Sequence, residues 1–174
     1  MSDKSIFRFL LLGTFFWCLT ILLPPILVLF NLSNEGAVIM SFYSRICHQL
    51  DSHSIHLFGN PLAVCARCSS IYFSFFLGVL VWKKFSHTPT LLPKESFGKY
   101  SIFFFPKVFI FLLPMLFDVF INSIEQNFPY SNVRRIVTGI IFGFPFGISI
   151  TPLFIQSIKE IFSANKNNFK ILQS

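Results

Sequence analysis

Charge is scarce in this chain of 174 residues. Asp, Glu, Lys and Arg together make up 12% of it, against about 25% in an average soluble domain. A soluble fold of this length could not bury an apolar content of 53% behind so few charges. That balance argues against a soluble enzyme, a disordered chain and a disulfide-stapled secreted module alike. Also missing are an internal repeat, a low-complexity linker, a phosphate-binding loop, a nucleophile–His–acid triad and a nucleotide-fold signature. What remains is an all-α, polytopic membrane protein folded as a single integral domain over residues 1–174, with the lipid bilayer as its main partner.

Acidic residues are scarcer than basic ones, 7 against 14, which leaves a net charge of +7. The basic residues lie between apolar runs and form no patch tied to a nucleic-acid module. Membrane topology and anionic headgroups account for them, and no nucleic-acid partner is expected.

Four stretches are apolar and long enough to cross a hydrocarbon core, at about 6–30, 62–82, 101–122 and 133–158. The first carries Pro24-Pro25, which should bend or end it near one interface. It is too long for a cleaved signal peptide, and no small-residue cleavage site follows. Asn60 and Pro61 read as the cap and first turn of the second. Ser131 reads as the cap of the fourth, and the tail from Lys159 reads as a fraying polar end. In the loop before the second span, Ile39, Phe42, Tyr43, Ile46 and Leu50 recur at helical spacing, which predicts a short interfacial helix.

Alternate loops face opposite sides. One side collects Lys4, Arg8, Lys83, Lys84, Lys94, Lys99, Lys107, Lys159, Lys166 and Lys170; the other holds only Arg45, Arg67, Arg134 and Arg135. The positive-inside bias then places the chain in a cell inner membrane with both termini in the cytoplasm.

On that topology the chemically active residues converge at the outer face. They are Cys47, His48 and Gln49, with Asp51, His53 and His56 after them; Cys65, Arg67 and Cys68; Asp118, Asn122 and Glu125 on one helical face; and Arg134 and Arg135. Asp118 should pair with Arg134 or Arg135 across a short turn, either as a functional group or as a structural tie between helices. Cys65 and Cys68 share a face near a helix N-terminus, where the dipole and Arg67 favour thiolate. Cys18 lies mid-span and reads as a packing residue.

Three uses fit the clustered thiols. Zinc or another transition metal could take Cys47, Cys65 and Cys68 with His48 as fourth ligand. Neighbouring side chains usually point apart, so His53 or His56 could replace His48. The thiols could instead cycle through a disulfide against a membrane quinone, or form one static disulfide from Cys47 to Cys65 or Cys68. Gly139, Gly143 and Gly147 form a small-residue stripe that lets another helix approach closely, within the bundle or at a dimer seam.

Cys47-His48-Gln49, Gly59, Cys65-Ala66-Arg67-Cys68 and Ile71-Tyr72 together resemble the motif of the small membrane proteins catalogued as domain-of-unknown-function family twenty eighty-five. Asp118 and the run from Arg135 to Gly139 resemble its later elements. Leu50 to His53 and Ser69-Ser70 depart from the family's usual residues. The resemblance implies a membrane site built on the Cys and His residues, without naming a reaction. In architecture alone the chain is similar to quinone-coupled disulfide-forming membrane proteins, although residues 123–132 lack their second Cys pair.

Overall fold

The computed structural model describes residues 2–85, 110–121 and 132–171. It is mostly helical. Helix α1 spans Asp3–Leu29 and α2 spans Ser33–Tyr43. A single 3-10 turn at Asp51–His53 leads into strands β1, Ser54–Leu57, and β2, Asn60–Cys65. Helix α3 is Ala66–Phe85, α4 is described over Ile110–Ile121, and α5 runs Asn132–Ile171.

The capping of α1 is local chemistry. Ser2 receives the Ser5 N–H on its side chain at the N-terminus. At the other end the Leu32 N–H reaches the Leu27 carbonyl at 2.9 Å and the Asn31 N–H reaches Val28 at 3.1 Å, with Asn31 at φ 60°. That is a Schellman closure, and it turns the chain straight into α2. Pro24 and Pro25 do not end α1; both sit buried inside it, and the helix continues to Leu29. Prolines are tolerated in this way where neighbouring elements cover the interrupted backbone.

The first correction to the all-α reading is the β1–β2 hairpin. Leu57 faces Asn60 across a two-residue loop, Phe58-Gly59, with φ of 53° and 80°. Two successive positive φ values define the hairpin turn, and Gly59 supplies the second without strain. Asn60 and Pro61 therefore open a strand, and α3 begins at Ala66, four residues later than the second span was expected to start. Pro61 fits because a strand's first residues need not donate to the ladder. Leu62, Ala63, Val64 and Cys65 are all buried against α1 and α2.

The short helix expected in this loop exists, but it begins at Ser33 and ends at Tyr43. Tyr43 is its large buried side chain: the phenol lies 2.6 Å from the Thr20 hydroxyl and donates to the Trp17 carbonyl at 3.2 Å. Ile46 and Leu50 lie beyond it and are exposed. Nor does the tail fray at Lys159. Helix α5 continues to Ile171, with Gln156 bonding Glu160 one turn on. Ser131, Lys107, Asn122, Glu125, most of the 83–100 loop and residues 101–109 of the third expected span lie outside the described residues.

Helices α3 and α5 approach backbone to backbone. An added Cβ at Gly143 would stand 2.5 Å from the Ile71 carbonyl, and one at Gly147 would stand 2.3 Å from that of Phe75. Gly139 meets Ser70 and Arg67 in the same way. The Ser70 and Ser74 hydroxyls lie in this seam, each bonding back to its own helix, to Arg67 and Ile71. Their second contacts cross to the Arg135 and Gly139 carbonyls at 3.5 Å.

The bundle carries polar contacts at both ends. At one end Asp3 of α1 pairs with Lys159 of α5 at 2.7 Å, and Phe7 packs on Trp82 of α3. At the opposite end lie the hairpin, the start of α3, Asp118 and the start of α5, where Asn132 reaches the Ser54 carbonyl. Helix α1 and the Asn132–Phe162 part of α5 are long and apolar enough to cross a membrane. Their outward faces carry large exposed apolar side chains such as Phe9, Leu12, Phe16, Ile140 and Ile161.

Candidate metal centre

The strand-to-helix junction builds the centre. Cys65 ends β2 and Cys68 lies in the first turn of α3, so one short stretch presents two thiols together. Cys47 arrives from the turn after α2, held by its N–H on the Tyr43 carbonyl. The three sulfurs all lie within 4.8 Å of one another. Cys47 and Cys65 are buried and Cys68 is half-buried. All four cysteines are free thiols, so neither static disulfide considered above is formed. Cys18 stands apart from the group and donates to the Tyr72 carbonyl at 3.5 Å.

Hydrogen bonding concentrates negative charge on Cys47. The Cys65 thiol, the Cys68 thiol and the backbone N–H groups of Cys65 and Gln49 all point to it, and they hold its pKa well below the ordinary thiol range against the opposing effect of burial. The Cys65 N–H to Cys47 Sγ distance is 3.2 Å. Gln49 fixes the loop that delivers this sulfur. Its side-chain amide donates to the Met40 carbonyl at 2.8 Å and the Ala63 carbonyl at 2.7 Å. It thereby ties α2 to β2 across the site, with its own backbone at φ 48°.

His48, His53 and His56 do not join the thiols. Among the described residues, no histidine nitrogen belongs to the group of mutually close ligand atoms. His48 is exposed, and its Nδ1 accepts the Leu50 N–H at 3.1 Å. In the neutral ring that bond places the proton on Nε2. His53 stacks edge-on against His48 at 5.6 Å between ring centres. Burial, then Arg135, His48 and Arg67, hold it below the ordinary imidazole range. His56 bonds Asp51 at 2.9 Å on the surface.

Asp118 is 3% exposed and takes two guanidiniums, Arg67 and Arg134. The expected partner Arg134 is there. Arg67, expected to favour thiolate rather than to pair with Asp118, is the more informative of the two: it sits between Cys65 and Cys68. One carboxylate therefore joins α3, α4 and α5 beside the thiols. Arg135 is buried next to this network. The sequence signal for Arg67 was its place inside the Cys-x-x-Cys stretch on the same side as Asp118. Replacing Asp118 by Asn should destabilise the protein by about 3–5 kcal/mol, because two largely buried cations lose their partner. Adding Arg67→Met to that variant should recover part of the loss in a denaturation series, and equal loss in single and double variants would show that the pair is not coupled.

The surroundings of the thiols match a known family. Residues 47–149 match the family described as "Predicted membrane protein (DUF2085)". An uncharacterised protein of Methanocaldococcus jannaschii is 31% identical over 122 residues, which cover 69% of this chain and 70% of the relative. No solved structure matches. The outward apolar faces of α1 and α5 accord with the contact to lipid that such a protein makes. With the family's span running from Cys47 through Cys65, Cys68, Asp118 and Arg134 to the end of the glycine stripe, this chain belongs to the predicted membrane proteins of DUF2085.

Proposed function

We propose that this protein is a binding or sensing module that holds one transition metal ion, zinc in the first instance, on Cys47, Cys65 and Cys68. The convergence of three free sulfurs within 4.8 Å carries the reading. Zinc–sulfur bonds of about 2.3 Å in a tetrahedron set sulfurs about 3.8 Å apart, so a small closing movement completes the set. The thiolate character of Cys47 supplies the form that binds metal.

The chain crosses the membrane four times, through α1, α3, the segment containing α4, and α5. The 20 residues of α3 make a helix about 30 Å long, the thickness of a hydrocarbon core. Lys4, Arg8 and Lys159 lie at the end of the bundle away from the thiols, and the positive-inside bias assigns that end to the cytoplasm of an inner membrane. The thiols and Asp118 then face outward. Gln49 acts on the metal indirectly, by holding the Cys47 loop on Met40 and Ala63. Gln49→Ala should weaken metal binding about tenfold in a chelator competition, the lower end of what losing an orienting partner costs.

The deciding experiment is elemental analysis of freshly purified protein in detergent, which should find about one metal ion per chain. Metal-free protein whose thiols titrate reversibly against a quinone pool would replace this reading with the redox one. Reporter fusions at both termini test the orientation, and an external terminus would overturn it.

A further inference from the structure

The reading of Cys47, Cys65 and Cys68 as metal ligands leaves one position of a tetrahedral ion to be filled, and the surroundings favour one kind of ligand for it. Among the described residues the group of close ligand atoms ends at three sulfurs. His48 has its Nδ1 on the Leu50 N–H, His53 packs edge-on against the His48 ring, and His56 has its ring on Asp51. Sites closed by four protein ligands are structural, whereas three protein ligands leave a place for an exogenous molecule.

The donor set selects what enters. Three thiolates carry three negative charges against two on zinc, so the metal is already electron-rich. It polarises water weakly and prefers a soft, polarisable donor to a hard one. A further anion at such a metal needs neighbouring positive charge. Arg67 lies in the chain between two of the ligands, Arg134 shares Asp118 with it, and Arg135 is 6% exposed and within electrostatic reach of Cys65. Access is narrow: Cys47 and Cys65 are 7% and 3% exposed, and only Cys68 is half-buried.

We propose that the metal on Cys47, Cys65 and Cys68 takes, as its fourth ligand, the thiolate of a low-molecular-weight thiol. On binding, the S–H proton leaves to solvent as the metal–sulfur bond forms, and no electron changes hands. The site is then a receptor for a small thiol, or a place where such a thiol is made nucleophilic.

Cobalt tests this, because sulfur–cobalt charge-transfer absorption counts sulfur donors. The full-length protein in detergent is loaded with Co(II) in thiol-free buffer and titrated separately with 2-mercaptoethanol, imidazole and acetate. The expected result is a charge-transfer band that grows by about one third with 2-mercaptoethanol alone, as three sulfurs become four, and saturates at one equivalent. The bands of Cys68→Ser should start weaker, showing that the spectrum reads these ligands. Cobalt bound with a spectrum indifferent to 2-mercaptoethanol, shifted only by imidazole, or bleached because the thiol strips the metal, would overturn the thiol ligand while leaving the metal reading standing. Failure to bind cobalt or zinc at all would overturn both.

Discussion

Metal content should fall from about one ion per chain to background in a Cys65→Ser, Cys68→Ser double variant, while the protein still inserts and purifies. Serine keeps the size of cysteine but does not supply a thiolate, so two of three donors are lost together. Remaining affinity would rest on Cys47 alone, which no longer receives the Cys65 and Cys68 thiols that hold it ionised. The folded bundle should survive, because α3 is held to α5 along the Gly143–Ile71 and Gly147–Phe75 contacts, which lie deeper along the helices than the thiols. Elemental analysis beside a thermal unfolding scan separates the two effects. Retained metal in the double variant would contradict the assignment of these ligands.

The second large effect is expected in the α3–α5 seam. Gly147→Ala places a methyl group 2.3 Å from the backbone oxygen of Phe75, far inside van der Waals contact. Backbone cannot turn aside as a flexible side chain can, so the helices must separate. Overpacking of this kind typically costs about 1–3 kcal/mol, and Gly147→Leu should exceed that range and abolish the folded protein. Gly13→Ala is the control. Its added carbon meets nothing within 4 Å, and alanine is the better helix former by up to about 1 kcal/mol. Gly13→Ala should therefore leave the midpoint unchanged or raise it, while Gly147→Ala lowers it. Equal behaviour of the two alanine variants would contradict the close approach.

The class of the protein was legible because charge scarcity and long apolar runs are whole-chain properties. The meeting of Cys65 with Cys68 was legible too, since three residues apart at a helix start is one turn. Cys47 could be placed near them only through topology, from the side of the membrane its loop was assigned to. The hairpin was not legible. Leu62, Ala63 and Val64 form a short apolar run that suits a buried strand or a helix equally, and Asn60-Pro61 carries a helix-start signal. The deciding residues were Phe58-Gly59, where a bulky side chain at positive φ hides the turn. Arg67 as a partner of Asp118 was hidden for another reason. Arg134 and Arg135 are closer in sequence, and only the packing of α3 against α5 brings Arg67 to the same carboxylate. The Gln49 clamp was invisible because both its acceptors are backbone carbonyls.

The most direct test is X-ray absorption at the zinc edge of the purified protein. The account predicts a first shell with three protein sulfurs at about 2.3 Å, and a sulfur count lower by one in a Cys68→Ser variant that still holds zinc. A shell of nitrogen and oxygen alone, or zinc whose shell is the same in both proteins, would contradict it.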